Sequence, residues 1–246
     1  MACLNCNDPR TIKAHLIPKA FVQEVKSSPG EQMMLVHEKT KAEVSNTGRY
    51  DPHLLCGGCD SHLGSHEGYV LELIRKLRKI PVQLNSFMPI DQVKGDLVVR
   101  FAAGIVWKFA NTREEWGRID IGPYVNILRD AALRNRPLPQ SLDVVMIRLF
   151  EPGAGAYFYR NPLPDRLDQM NAVRFSVGGF LFFLKIDRRL NQSALPAECW
   201  LKGRSSGKLM VAPLRRFEEG KLYLQLRGSQ PARGFFDNMK ARQRDS

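Results

Sequence analysis

The sequence has no apolar run approaching the length of a membrane span, and its first residues lack the charged-then-apolar plan of a signal peptide. These absences predict a soluble, cytoplasmic protein with no membrane partner. Histidine does not occur after residue 66, and cysteine after residue 59 only at Cys199. The rest of the chain therefore offers no recognisable catalytic or metal-binding cluster. Internal repeats and low-complexity tracts are missing too, which argues against solenoid, collagen-like or wholly disordered classes. Acidic residues are in deficit, 25 against 37 basic ones, leaving a net charge of +12 at pH 7. A polyanion is the natural partner for that excess, because neutralising phosphates releases counterions. No strongly amphipathic basic helix stands apart to direct the charge to a lipid surface instead.

What is present concentrates at the beginning of the chain. Cys3-Leu4-Asn5-Cys6 and Cys56-Gly57-Gly58-Cys59 are two Cys-x-x-Cys pairs. Two intervening residues let both sulfurs of a pair turn toward one ion at about 2.3 Å, so the four thiolates suit a structural, tetrahedral Zn²⁺. A reducing compartment disfavours disulfides, and a thioredoxin-like pair would need a βαβ context that the surrounding pattern does not supply. Cys199, alone beside Trp200, reads as a buried small hydrophobe.

The pattern predicts an α+β protein, with a metal module over 1–80, a larger α+β region over 81–232 and a basic, flexible tail over 233–246. In the first region, Thr11–Leu16 reads as a strand with His15 at its end. Residues 27–30 read as a loop, Gln32–His37 as a strand and residues 46–48 as a turn. Asp60–Ile80 reads as a helix weakened by Gly64 and Gly68. Its apolar stripe is Val70, Leu73, Ile74, Leu77 and Ile80, and its other face carries Arg75, Lys76, Arg78 and Lys79. Such a face is either solvated or phosphate-contacting.

Residues 81–95 read as a connector, followed by helices over 96–110 and from Gly122-Pro123 to about Asn135. An antiparallel sheet comes next: Leu142–Phe150, Ala156–Arg160, the hairpin Val173–Val177/Phe180–Ile186 across Gly178-Gly179, then Glu198–Lys202, Leu209–Ala212 and Leu222–Leu226. The aromatics of this half, Trp107, Trp116, Phe180, Phe182, Phe183 and Trp200, read as core.

Cys3-x-x-Cys6, Ala14-His15-Leu16-Ile17-Pro18, Asp51 and Cys56-x-x-Cys59-Asp60 together resemble the HNH endonucleases, the ββα-metal type built on a zinc-binding treble clef. Relatives of that kind read AH-x-IPK near the start and LLC-x-x-CD later, and the likeness covers about the first 70 residues. It implies a metal-dependent nuclease hydrolysing phosphodiester bonds, DNA in preference to RNA, and by analogy a place in restriction or phage defence. Structural zinc would be held by Cys3, Cys6, Cys56 and Cys59, with Mg²⁺ or Mn²⁺ nearby as the catalytic ion. His15 would be the general base, Asp51 would take the place of the loop-holding Asn, and Asp60 would supply an oxygen to the ion. Lys19, Arg75, Lys76, Arg78 and Lys79 would hold the nucleic-acid backbone.

Two positions depart from the family pattern. Ala14 stands where an acidic ligand is usual, and Asp51 replaces Asn. The missing ligand would come from His62, His66 or Glu67. Taken without the resemblance, His15 could be a structural histidine and Asp60 a helix cap. A second reading makes the N-terminal region a non-catalytic zinc module that binds nucleic acid or a protein. A third makes it a staple for an enzyme in the C-terminal region, which a deep polar pocket there would favour. That region could also carry a protein partner or a homo-oligomer contact.

Overall fold

A computed structural model describes residues 2–24, 33–37, 41–45, 48–150, 158–191, 193–218 and 220–221. In chain order the elements are β1 (Ala14–His15), α1 (Lys19–Glu24), β2 (Met33–His37), β3 (Lys41–Ser45), β4 (Tyr50–Asp51), α2 (Gly57–Lys79) and β5 (Ser86–Asp91). Then come α3 (Gly95–Asn111), α4 (Tyr124–Leu133), β6 (Leu142–Phe150), β7 (Phe158–Leu167), β8 (Met170–Val177), β9 (Phe180–Ile186) and β10 (Ser206–Pro213). The α+β class is as expected. No helix among the described residues is long and apolar enough to cross a membrane.

Eight strands form one sheet in the order β3-β2-β7-β8-β9-β6-β10-β5. Its central strands are apolar on both sides because both faces are covered. Along β9, Phe180, Phe182, Leu184 and Ile186 join the core shared with α2, α3 and α4, while Leu181 and Phe183 join a second cluster with Cys199 and Trp200. Phe175 and Phe182 stack with ring centroids 5.0 Å apart, and Phe101 of α3 lies 5.6 Å from Phe182. α3 is buried almost all round, from Val98 to Phe109. Gly104 lets it approach α2, since a Cβ there would stand 3.1 Å from the Leu63 side chain.

The hairpin at Gly178-Gly179 forms as its sequence predicts. Both glycines have positive φ, 63° and 84°, the backbone that a tight two-residue turn with the right strand twist requires. Arg78 donates two hydrogen bonds to the Gly178 carbonyl, at 2.9 and 2.6 Å. Arg148 of β6 reaches across to the carbonyls of Leu77, Arg78 and Ile80 at 2.6–3.0 Å. It thereby satisfies the orphan acceptors at the C-terminus of α2 and lies at the negative end of its dipole.

Several sequence expectations are revised. The sheet is mixed, because β2 runs parallel to β7 and β10 parallel to β6. The segment expected as a connector carries β5, an edge strand paired with β10, where Pro89 is tolerated. Residues expected as a strand at 198–202 form a 3₁₀ turn over Ala197–Cys199 and one isolated bridge, Val145 to Trp200. The first strand shrinks to Ala14–His15. α2 is continuous from Gly57, with Gly64 and Gly68 on its exposed side. α1 had no signal in the periodicity. One apolar cluster holds Cys3, Ala14, Phe21 and Leu55 together with Phe175 and Val211. The loop at 27–30, the start of the strand at Gln32, the turn residues 46–47, the strand at Leu222–Leu226 and the basic tail lie outside the described residues.

Candidate metal centre and the adjoining histidine strand

Cys3 and Cys6 sit in a knuckle closed by the Cys3 N–H on the Asp8 carbonyl (2.8 Å) and the Asn7 N–H on the Cys3 carbonyl (2.9 Å). Asn7 takes the left-handed φ of 64° that this turn needs, a conformation asparagine tolerates. Cys56 is the N-cap of α2, and Cys59 lies one turn into it. The Leu4 and Ile12 amides bond to the carbonyls of Leu54 and Leu55, at 3.0 and 2.9 Å, and so bring the knuckle onto the helix start.

The four sulfurs lie within 4.8 Å of one another. Cys6 Sγ is 3.6 Å from Cys56 Sγ and 3.7 Å from Cys59 Sγ. A tetrahedral ion with sulfurs at about 2.3 Å requires sulfur separations near 3.8 Å, so this donor set fits zinc. The thiols respond to one another. Burial pushes Cys59 up to about 12, with the Asn5 hydrogen bond opposing the rise and Cys6, Cys56 and Cys3 adding to it. Burial also acts upward on Cys3, but the N–H groups of Cys56, Cys6 and Asn5 outweigh it and bring that thiol down to about 7. Four sulfurs this close become thiolates together only around a cation.

Asn5 donates to Cys59 Sγ at 3.2 Å. Arg134, at the C-terminal end of α4, donates to the Asn5 side-chain oxygen (3.1 Å) and to its carbonyl (3.2 Å). Sequence reading missed this outer layer, because the residues that build it lie far apart in the chain.

Beside the cysteines, β1 pairs antiparallel with β4, Ala14 opposite Asp51 and His15 opposite Tyr50. His15 is half-buried, its ring 6.1 Å from that of Tyr50, over which Lys13 places its ammonium 5.2 Å from the centroid. The Ala14 methyl is fully buried in the core. Asp51 is buried, with one oxygen accepting the His53 N–H at 2.9 Å and the other the Thr112 hydroxyl at 2.7 Å. Its carboxylate thus holds the turn after β4 and fastens it to the end of α3.

The least anticipated residue is Lys108 of α3, only 1% exposed. Its ammonium donates to the His15 carbonyl at 2.8 Å and pairs with Glu67 of α2 at 3.1 Å. No local pattern marks a lysine in the apolar second half of α3 as anything but an interruption. Yet it joins β1, α2 and α3 behind the histidine.

The expected oxygen and nitrogen donors do not assemble. Among the described residues the cysteines are the only group of three or more potential metal ligands. Asp60 and Glu67 share a helix face but are separated by two turns, about 10 Å along the axis. Glu67 is moreover held by Lys108. His62 and His66 lie edge to face, their ring centroids 5.4 Å apart, on a different side of α2 from Asp60. Asp60, partly exposed in the first turn, has no side-chain partner among the described residues.

Of the proposed backbone contacts, Lys19, Lys76 and Lys79 are exposed, and Arg75 is exposed and paired with Glu72. Arg78 is turned inward onto Gly178.

His66 is 4% exposed, and burial, assisted by His62 and Arg100, lowers it from 6.5 to about 4. The unfolded chain therefore binds a proton between those pH values that the folded chain resists. Stability should fall as the pH is lowered through this window, by about 3 kcal/mol at most from this group. Urea unfolding at pH 7 and pH 4.5 should show a smaller acid loss in His66→Gln than in the native protein. An equal loss in both would remove His66 as a cause.

No family model, curated protein or solved structure matches this chain.

Proposed function

We propose that the protein is an HNH-type endonuclease hydrolysing phosphodiester bonds, DNA in preference to RNA. The observation that carries this reading is a short two-stranded unit followed by a helix, closed by four cysteines at zinc distances, with His15 on its first strand. In this reading the unit is a treble clef of the ββα-metal kind. His15 takes the proton of the attacking water as general base. Asp51 and Lys108 position the strand without touching substrate, one through the turn after β4 and the other through the His15 carbonyl. The net charge of +12 and the exposed Lys19, Arg75, Lys76 and Lys79 favour a phosphate backbone. Asp60 is the carboxylate left to share Mg²⁺ or Mn²⁺ with a substrate phosphate. Sites for these ions often have only one or two protein carboxylates.

The test is nicking of supercoiled plasmid by the zinc-loaded protein with Mg²⁺ or Mn²⁺. Cleavage should fall at least about 100-fold in His15→Ala, the low end of what general acid–base catalysis contributes. Zinc content and melting temperature should stay unchanged. Cleavage retained in His15→Ala would overturn the assignment.

A second reading rests on the buried Ala14 methyl and on the Lys108–Glu67 pair, which leave the expected ligand positions unfilled. It makes the same unit a non-catalytic zinc module that binds nucleic acid or a protein. It predicts no cleavage, with binding that survives His15→Ala and Asp60→Ala but fails when a zinc cysteine is lost.

A further inference from the structure

The sheet face opposite α3 carries a half-open pocket of about 380 Å³, between the start of β6 and the segment leading to β10. Asp143, 5% exposed, builds it. One of its carboxylate oxygens accepts the amides of Val144 and Lys202, both at 2.8 Å, and the other accepts the Asn191 side-chain amide at 2.9 Å. The carboxylate is therefore used up in holding the walls together.

Three of the residues lining the space offer donors. Lys202 is steadied by one bond from its ammonium to the Pro139 carbonyl at 3.0 Å. Arg204 is steadied by one bond from Nε to the Trp200 carbonyl at 2.8 Å, and its two Nη groups have no partner among the described residues. The Ser193 oxygen already accepts the Trp200 indole N–H and the Leu195 amide, both at 3.3 Å, so its own proton is free to be given outward. The remaining wall is apolar, from Leu195, Ala197 and Trp200.

Of the other carboxylates around it, Asp96 accepts the Gly203 amide at 2.7 Å and Asp168 the Ala194 amide at 2.9 Å. Glu198 pairs with Lys208 at 3.3 Å, and Asp187 pairs with Arg189. Lys185, buried beside Asp143 and Asp187, adds a further cation behind the wall. Two tethered cations and a hydroxyl line one space beside an apolar wall. That chemistry recognises a small oxyanion, and an Arg–Lys pair suits phosphate in particular. A space of this volume also admits the organic body of a metabolite.

We propose that this pocket binds the phosphoryl group of a small phosphate ester through Arg204, Lys202 and Ser193. The cations are held before the ligand arrives, so little side-chain freedom is lost on binding. The site lies outside the cysteine unit and does not depend on the nuclease reading.

Trp200 supplies a local reporter, because its indole N–H points at Ser193 and the chain has only 3 tryptophans. The experiment is a ¹⁵N-correlated NMR titration of the full chain, with AMP in one arm and inorganic phosphate in the other. Trp200→Phe identifies the peak. The Trp200 indole signal should shift saturably, and Arg204→Gln and Lys202→Met should each weaken binding by about tenfold or more. Saturation by AMP alone would assign the site to an ester, and saturation by both probes would show that the phosphoryl group suffices. No shift with either probe at millimolar concentration would overturn the proposal. So would shifts of undiminished affinity in both variants while their melting temperatures match the native protein.

Discussion

Replacing Cys56 with alanine is expected to strip the bound metal and to destabilise the protein by roughly 5 kcal/mol, part of the about 10–16 kcal/mol that a structural zinc site can supply. Loss of one sulfur leaves three at these distances, and they then prefer to be protonated and apart. The damage does not stop at the ion. Cys56 stands at the N-cap of α2 with no side-chain cap bond, so what alanine loses there is the metal's hold on the start of a helix that carries Leu63, Val70, Ile74 and Leu77 into the shared core. Elemental analysis should show substoichiometric zinc, and calorimetry a lowered melting temperature. Cys199→Ala is the control. Cys199 is equally buried, but it packs in the second cluster beside Trp200, so the variant should keep its metal and lose only the packing of one small side chain. Full zinc occupancy in Cys56→Ala would mean that another ligand completes the site.

The second large effect is expected at Lys108. Substitution by methionine preserves volume but leaves the His15 carbonyl without its ammonium donor and Glu67 without its cation. Breaking a buried ion pair from one side typically costs about 3–5 kcal/mol. Glu67 is 20% exposed on its side chain, which places the expected value at the lower end of that range. Because the penalty resides in the carboxylate left behind, the double variant Lys108→Met, Glu67→Leu should recover much of it. Chemical unfolding of the two single variants and the double variant completes the cycle. Strict additivity would show that the two side chains do not act as a pair. If the nuclease reading holds, the double variant should still cleave poorly despite its restored stability, because the histidine strand has lost its anchor.

These two residues show how unevenly the structure could be read from the sequence. The cysteine cluster was legible because its signal is local: two cysteines held two residues apart, twice over, is a spacing that little besides a metal ion demands. The helices α2, α3 and α4 and the hairpin at Gly178-Gly179 were legible for a similar reason, since periodicity and turn chemistry act over neighbours. Lys108 was not, because its meaning lies in Glu67 and the His15 carbonyl, brought together only by the crossing of α2 and α3. β5 was hidden by Pro89, which is acceptable only because that strand is an edge. The parallel pairs were hidden because pairing partners are chosen by the whole sheet. The supposed strand at 198–202 is apolar for a different purpose: Cys199 and Trp200 cover the second face of the sheet.

The pairing of β2 with β7 has a consequence for how the chain comes to be folded. Met34 lies beside Phe158 and Val36 beside Arg160 in parallel register, so this seam closes an exceptionally long stretch of chain. Contacts of that sequence separation form slowly and late. During synthesis the four cysteines are all available once residue 59 has emerged, whereas the strand that receives β2 is made about a hundred residues later. At elongation rates of roughly 5–20 residues per second, the β2–β3 pair waits for seconds with the β2 edge bare. A chain stalled in that interval has all four cysteines out and an open strand edge beside them, the condition in which strands of separate molecules pair with each other. Early metal uptake would not shorten that wait; only the arrival of β7 closes the edge.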